Sequence, residues 1–266
     1  MPTIADISVL DFEIFIFILV RVSFMVVLLP VIGGRQLPSR VKVGFSFFMS
    51  VIIYTQLKDF EMVLPDTIPG FFVACLKEVY VGAIMGFASS MLFVSLNIAG
   101  RIIDHNTGFS MIQTINPMTD SNESVIGQIQ FIIFSLILIV TGNHLHFIRM
   151  IFDSFEMINL LSAQWSLAPI NQIFIKVTAL SFVYGIKLSA PILVPLLLTT
   201  AALAIVARVM PQVNVWLVGM PLKIGIGLIS VSFVMPLVWY VFQKQIVSVQ
   251  ASQIYLLKIM GGVGLQ

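Results

Sequence analysis

Charge is scarce in this chain. Of its 266 residues only 10% are charged and 59% are hydrophobic, against about 25% charged in an ordinary soluble domain. With a mean hydropathy of +1.05 there is not enough polar surface to keep the chain in water, which leaves the membrane as its solvent. The net charge of +2 is small, and no Lys/Arg cluster is interleaved with aromatic residues, so nucleic acid is excluded as a partner. One cysteine, Cys75, lies inside an apolar run; a disulfide framework within the chain is excluded, and the thiol reads as a small core hydrophobe. There is no GxxxxGK[ST] for nucleotide phosphates and no HExxH for zinc. The pair His144-x-His146 does not share one helix face and is expected to lie in a loop at the membrane interface rather than to hold a metal. No residue set asks for a cofactor, a metal or a catalytic role.

Basic residues are also missing from the N-terminus, where MPTIADISVLDFEIF carries Asp6, Asp11 and Glu13 instead. The first apolar run is therefore expected to be retained rather than cleaved as a leader. What the chain does contain is a series of apolar runs at about 12–32, 43–57, 70–98, 125–142, 173–207 and 215–242. A helix needs roughly 20 residues to cross hydrocarbon, so the second and fourth runs are short and the fifth is long enough to bend. Six crossings is only the naive count. Pro30, Pro191, Pro195, Pro221 and Pro236 fall within these runs, and each is expected to kink or break its helix. The basic loop with Arg35, Arg40 and Lys42 favours a cytoplasmic first loop.

Five charges lie inside the runs: Arg21, Lys77, Glu78, Lys187 and Lys223. Ionised groups at membrane depth face a protein interior, a partner or water, unless they snorkel to the interface. Arg21 and Glu78 sit at similar depth and are expected to pair. Lys77 and Glu78 are about 100° apart on a helix and are expected to answer to different surroundings. Lys77, Lys187 and Lys223 then call for acids on other subunits, or for water. Gly82 and Gly86, with Ser90 next, form a small face for close helix packing.

Between the third and fourth runs stands HNTGFSMIQTINPMTDSNESVIG, too rich in Phe and Met for a plain polar linker. Gly108 permits an unusual turn, and Phe109, Met111 and Ile112, beside Ser110, are apolar; docking of those side chains on the protein surface is the plain reading. Asn116-Pro117 is expected to end the loop, with Asp120, Ser121 or Asn122 capping the next helix.

Four stretches, in order, carry a resemblance: LVRVSFMVVLLPVIGGRQLPSRVKVGFSFF, KEVYVGAIMGFASSMLFVSLNIAGRIIDHNTGFSM, INPMTDSNESVIGQ followed by GNHLHFIRMIFDSF, and APILVPLLLTTAALAIVARVMPQVNVWLVGMPLKIGIGL. Together they resemble the FliR family, subunits of the flagellar type III protein export gate, which is related to the injectisome SctT subunits. The resemblance implies an all-α fold of membrane-associated helical hairpins, kinked and broken helices, stacked with FliP- and FliQ-like subunits in a helical channel assembly. It implies one export-gate domain over 1–266, with 1–206 similar to FliP and 207–266 similar to a FliQ hairpin and tail. It further implies a place in the bacterial inner membrane within the flagellar basal body. FliP and FliQ are implied as partners, together with FlhB and FlhA, and unfolded flagellar proteins as cargo. In such a gate the 106–122 loop is implied as a pore plug, with Gly108, Phe109, Ser110, Met111 and Ile112 at its constriction, where the apolar side chains would exclude water. The chain would be a conduit and not an enzyme. An injectisome subunit, a small-solute secondary transporter and a purely structural nucleus for assembly are the other readings.

Overall fold

In a computed structural model, residues 9–34, 37–56, 65, 67–110, 124–163, 167–212 and 214–262 are described. Among them the regular structure is helical: α1 (Val9–Leu28), α2 (Ser39–Gln56), α3 (Ile68–Thr107), α4 (Val125–Val140), α5 (His144–Met157), α6 (Leu167–Val209) and α7 (Val215–Met260). Unbroken apolar sequence favours this, since a backbone surrounded by hydrocarbon or protein must satisfy its own donors and acceptors.

Among the described residues three helices, α3, α6 and α7, are long and apolar enough to cross a membrane; a fourth span arises if α4 and α5 count as one broken crossing. The six-run reading is corrected on three points. The first run forms α1, which carries Asp11, Glu13 and Arg21 and does not count among the spans. The second run forms α2, 18 residues long but not apolar enough to count among the spans. The break in the fourth is a 72° bend between α4 and α5 at Thr141–Asn143, where Gly142 turns with φ +74°. Glycine takes that backbone conformation without a Cβ penalty. His144 and His146 stand in the first turn of α5, not in a loop. Pro191 and Pro195 sit inside a continuous α6, and Pro221 and Pro236 inside a continuous α7; Pro30 lies just beyond α1.

The chain divides into two compact units. The first holds Met1–Ser90, Thr141–Val177 and Val249–Gln266. Within it α1 and α2 pair through Phe15, whose ring meets Phe47 at 5.6 Å and Tyr54 at 6.3 Å, both edge-on. Against α1 the small face of α3 fits closely: a Cβ on Gly82 would fall 2.6 Å from the Arg21 carbonyl oxygen, and one on Gly86 2.7 Å from Leu28 Cβ. Phe17, Ile18, Val22, Met25, Met85, Phe147 and Ile151 fill the core of this unit.

The second unit holds Met91–Val140 and Thr178–Ser248. Its core gathers Ile103, Ile126, Ile192, Leu196 and Val231, with Phe109 packed against them. A second group is aromatic, with Phe134, Trp239 and Phe242 in mutual contact and Phe93 edge-on to Phe131. Gln245 reaches across it and accepts from Ser95 Oγ at 2.8 Å.

Candidate functional site

Two polar centres interrupt this hydrocarbon, one in each unit. In the first unit Arg21 is fully buried, and its Nε donates to Glu78 Oε2. Its Nη1 donates to the carbonyls of Ser154 and Ile158, each at 2.9 Å, at the C-terminal end of α5, where a helix presents unsatisfied carbonyls and negative partial charge. The guanidinium also lies 4.3 Å from the centroid of the Phe155 ring, a favourable cation–π distance. Arg21 and Glu78 therefore form one knot that ties α1, α3 and α5.

Lys77 corrects an expectation. Rather than answering to separate surroundings, Lys77 and Glu78 meet the same residue: Leu161 N donates to Glu78 Oε1 at 2.8 Å, and Lys77 Nζ donates to the Leu161 carbonyl at 3.1 Å. Leu161 has φ +66°, a conformation that a branched L residue adopts at a cost of about 1–2 kcal/mol. The two charged side chains clamp it from both sides of its peptide frame.

The second centre lies where α3 ends and α4 begins, at the base of the Phe- and Met-rich segment. The last turn of α3 closes with Gly108 N donating to the Asp104 carbonyl at 3.0 Å, and Gly108 turns with φ +93°. Asp104, 3% exposed, points its carboxylate at the start of α4. Oδ2 accepts from Val125 N at 2.7 Å and Oδ1 from Ile126 N at 3.1 Å. Ser124 Oγ accepts from Gly127 N at 2.8 Å. Among the described residues the cap of α4 is thus Ser124 together with a carboxylate from another helix; Asp120, Ser121 and Asn122 lie outside the described residues. Helix N-termini favour such an anion through their free N–H groups and dipole.

Phe109 and Ser110 are half-buried, with Phe109 seated on the core of the second unit. Met111 and Ile112 lie outside the described residues. Beside Gly108 opens a cleft of about 390 Å³ whose lining includes Asn106, Leu203, Trp216, Met220 and Lys223. Lys223 is half-buried and Lys187 exposed; Lys187 Nζ stands 5.5 Å from the Tyr184 ring centroid. Neither lysine has an acidic partner among the described residues.

Sequence reasoning passed over Asp104, although an acid so near the end of an apolar helix was a visible signal. It also passed over the distribution of acids. None occurs after Glu156, whereas Lys176, Lys187, Arg208, Lys223, Lys244 and Lys258 all do. The cations of α6 and α7 thus have no acid on their own helices to pair with.

Comparison with known proteins places this geometry. Residues 12–249 match the family "Bacterial export proteins, family 1". The flagellar biosynthetic protein FliR of Bacillus subtilis (strain 168) is 30% identical over 240 residues, covering 89% of this chain and 92% of that one. The FliR of Caulobacter vibrioides is 28% identical over 222 residues, 82% of this chain and 87% of its own. That of Escherichia coli K12 is 26% identical over 226 residues, covering 83% of each.

Proposed function

We propose that this chain, which belongs to the bacterial export proteins, family 1, and among them to the flagellar FliR proteins, helps to form and to close the channel of the flagellar export gate. It is a membrane protein of the flagellar export apparatus, with three helices among the described residues long and apolar enough to cross a bilayer. In this reading it sits in the bacterial inner membrane and assembles with FliP and FliQ, next to FlhA and FlhB. Residues 1–206 act as a FliP-like part and 207–266 as a FliQ-like hairpin and tail. Unfolded flagellar proteins pass through the assembly, and nothing is catalysed on the way. The three relatives compared above favour the flagellar over the injectisome role, since each of them is named a flagellar biosynthetic protein.

The observation that carries the gate is the base of the segment after α3. Two helix ends are joined by Asp104, and from that joint the chain emits a stretch bearing Met111, Ile112 and Met118. A segment fixed at both ends and apolar in the middle suits a plug: it excludes water when closed, and methionine adapts to a varied polypeptide when displaced. Phe109, seated on the core, serves as the anchor at one end. Lys187 and Lys223, which have no acidic partner among the described residues, and the acid-free α6 and α7 support hetero-assembly, with the counter-charge supplied by other chains or by water.

Deleting residues 109–113 tests the gate. The deletion is expected to leave the complex assembled while making membranes permeable to ions. A deletion strain with tight membranes and normal export would refute the plug. A deletion that blocks assembly would assign the segment to the structural nucleus instead.

A further inference from the structure

We infer that the outer face of α3 from Asn97 to His105 is wet in the assembled protein and guides the extended polypeptide that passes through it. The inference rests on the channel reading and adds to it the side of this chain that meets the cargo.

Every exposed residue of α3 between Met91 and Thr107 is polar. There are three, Asn97, Arg101 and His105, four apart and therefore in line along one face of the helix. Other faces of the same stretch are packed. Gly100 meets α4 so closely that a Cβ on it would fall 2.2 Å from Gly127 Cα. A Cβ on Gly185 of α6 would fall 2.7 Å from Ile98 Cγ2, and one on Gly227 of α7 would fall 2.5 Å from Thr107 Cγ2. Arg101 has no acidic partner among the described residues. The carboxylate three positions on, at Asp104, is held by Val125 N and Ile126 N.

A polar helix end ordinarily marks the level at which a protein leaves the hydrocarbon. The neighbours at this level exclude that explanation. Gly185 at Ile98, and Leu196 beside Gly227 and Thr107, set α6 alongside α3. Phe242, whose ring is 6.0 Å from that of Phe93, and Gly227 set α7 alongside as well. Over this length α6 exposes Ile186 and Val194 with Lys187 as its single charge, and α7 exposes Ile229, Phe233 and Leu237 with no charge. The second unit is thus apolar on its α6 and α7 sides and polar on its α3 side at one and the same level. A guanidinium turned outward there belongs in water, since lipid would charge it heavily in free energy. At His105 the polar line runs into the cleft beside Gly108, whose walls add Thr200 and Lys223.

The spacing of the line suits an extended chain. Residues four apart on a helix rise by about 6 Å, and an extended polypeptide presents carbonyls on one side about every 6.7 Å. Asn97, Arg101 and His105 each offer N–H donors, so they meet successive carbonyls along one edge of an unfolded chain whatever its sequence. In water each such bond replaces one to solvent and the net hold is slight, which lets the cargo slide.

Cysteine accessibility and crosslinking test this in the full complex. Cys75→Ala removes the one native thiol. Asn97→Cys, Arg101→Cys and His105→Cys are then compared with Val183→Cys and Ile229→Cys, whose native side chains are exposed apolar groups of α6 and α7. In membranes opened to both sides, a charged maleimide is expected to react on the order of tenfold or more faster at the three α3 positions, because the reactive thiolate forms in water. A photoreactive residue in place of Arg101 is expected to crosslink an export substrate stalled in the complex. Thiols on α3 that react no faster than the controls overturn the inference, as do thiols that react in the isolated chain but not in the co-purified complex, where a sister subunit would then cover them. Stalled cargo that crosslinks to the sister subunits but not at 101 also overturns it and leaves the channel reading standing. Cargo that crosslinks to no subunit of an assembled complex removes the channel reading and the inference with it. Should substitution of Arg101 prevent assembly, positions 97 and 105 decide by the same two measurements.

Discussion

Removing one partner of the Arg21–Glu78 pair should damage this protein more than removing both. Both side chains are fully buried, so Glu78→Ala leaves a guanidinium in the interior with only the Ser154 and Ile158 carbonyls and the Phe155 face for company. Breaking a buried pair in this way costs about 3–5 kcal/mol. At about 1.4 kcal/mol per decade, that is a rise of roughly two to three and a half decades in the unfolded population. Arg21→Met leaves Glu78 with the Leu161 amide and should cost about the same. The double variant Arg21→Met/Glu78→Leu removes both charges and fills the space, and is expected to recover most of the loss, because a well-packed apolar replacement of a buried pair is often neutral. An exchange of the two charges is not expected to rescue. A carboxylate at position 21 would face two carbonyl oxygens, and a guanidinium at 78 would face the Leu161 N–H. Reversible unfolding of the purified full chain in mild detergent measures all four variants. Single variants within about 0.5 kcal/mol of the unaltered protein, where ordinary surface substitutions fall, would refute the reasoning, as would a double variant no more stable than the worse single.

Gly100→Ala should cost about 3 kcal/mol, the upper end for overpacking, because its Cβ would meet the Gly127 backbone and not a yielding side chain; a loss below about 1 kcal/mol in the same assay would mean that the crossing relaxes easily. Gly108→Ala should lose about 1–2 kcal/mol through its backbone alone, since φ is +93° and the nearest atom, Met220 Cγ, is 3.6 Å away; no loss would show that the turn tolerates an L residue. Gln130 is fully buried, and neither amide atom finds a partner among the described residues. Gln130→Leu is therefore expected to raise stability by about 1–2 kcal/mol, and a destabilisation of that size would reveal a partner for the amide.

The fold was legible wherever a physical quantity varies smoothly along the chain. Hydropathy runs marked every described helix but α5, because an apolar environment leaves the backbone few other choices; α5, with His144, His146, Arg149, Asp153 and Glu156, fell outside them. The matching depths of Arg21 and Glu78 pointed to the contact that the structure shows. Run ends were less legible: α3 continues past the apolar run to Thr107, since Arg101, Asp104, His105 and Asn106 lower the hydropathy without breaking the helix. Prolines misled in the opposite direction, as α6 and α7 carry theirs internally, while the sharpest turn in a run sits at Gly142. Contacts that depend on one backbone atom were invisible. The clamp of Lys77 and Glu78 on Leu161 requires a residue more than 80 positions away with a left-handed backbone, and no pattern of side chains encodes that. Asp104 was readable as a buried acid, but its partners are two amides, which every residue other than proline possesses.

The account makes this chain one member of a hetero-oligomeric gate, with its excess cations answered by other subunits. Native mass spectrometry of the tagged chain, expressed with its sister subunits and released in mild detergent, tests that most directly. A single discrete mass containing this chain together with FliP and FliQ is the predicted result. A chain that comes through alone, or as a small homo-oligomer, would contradict the account.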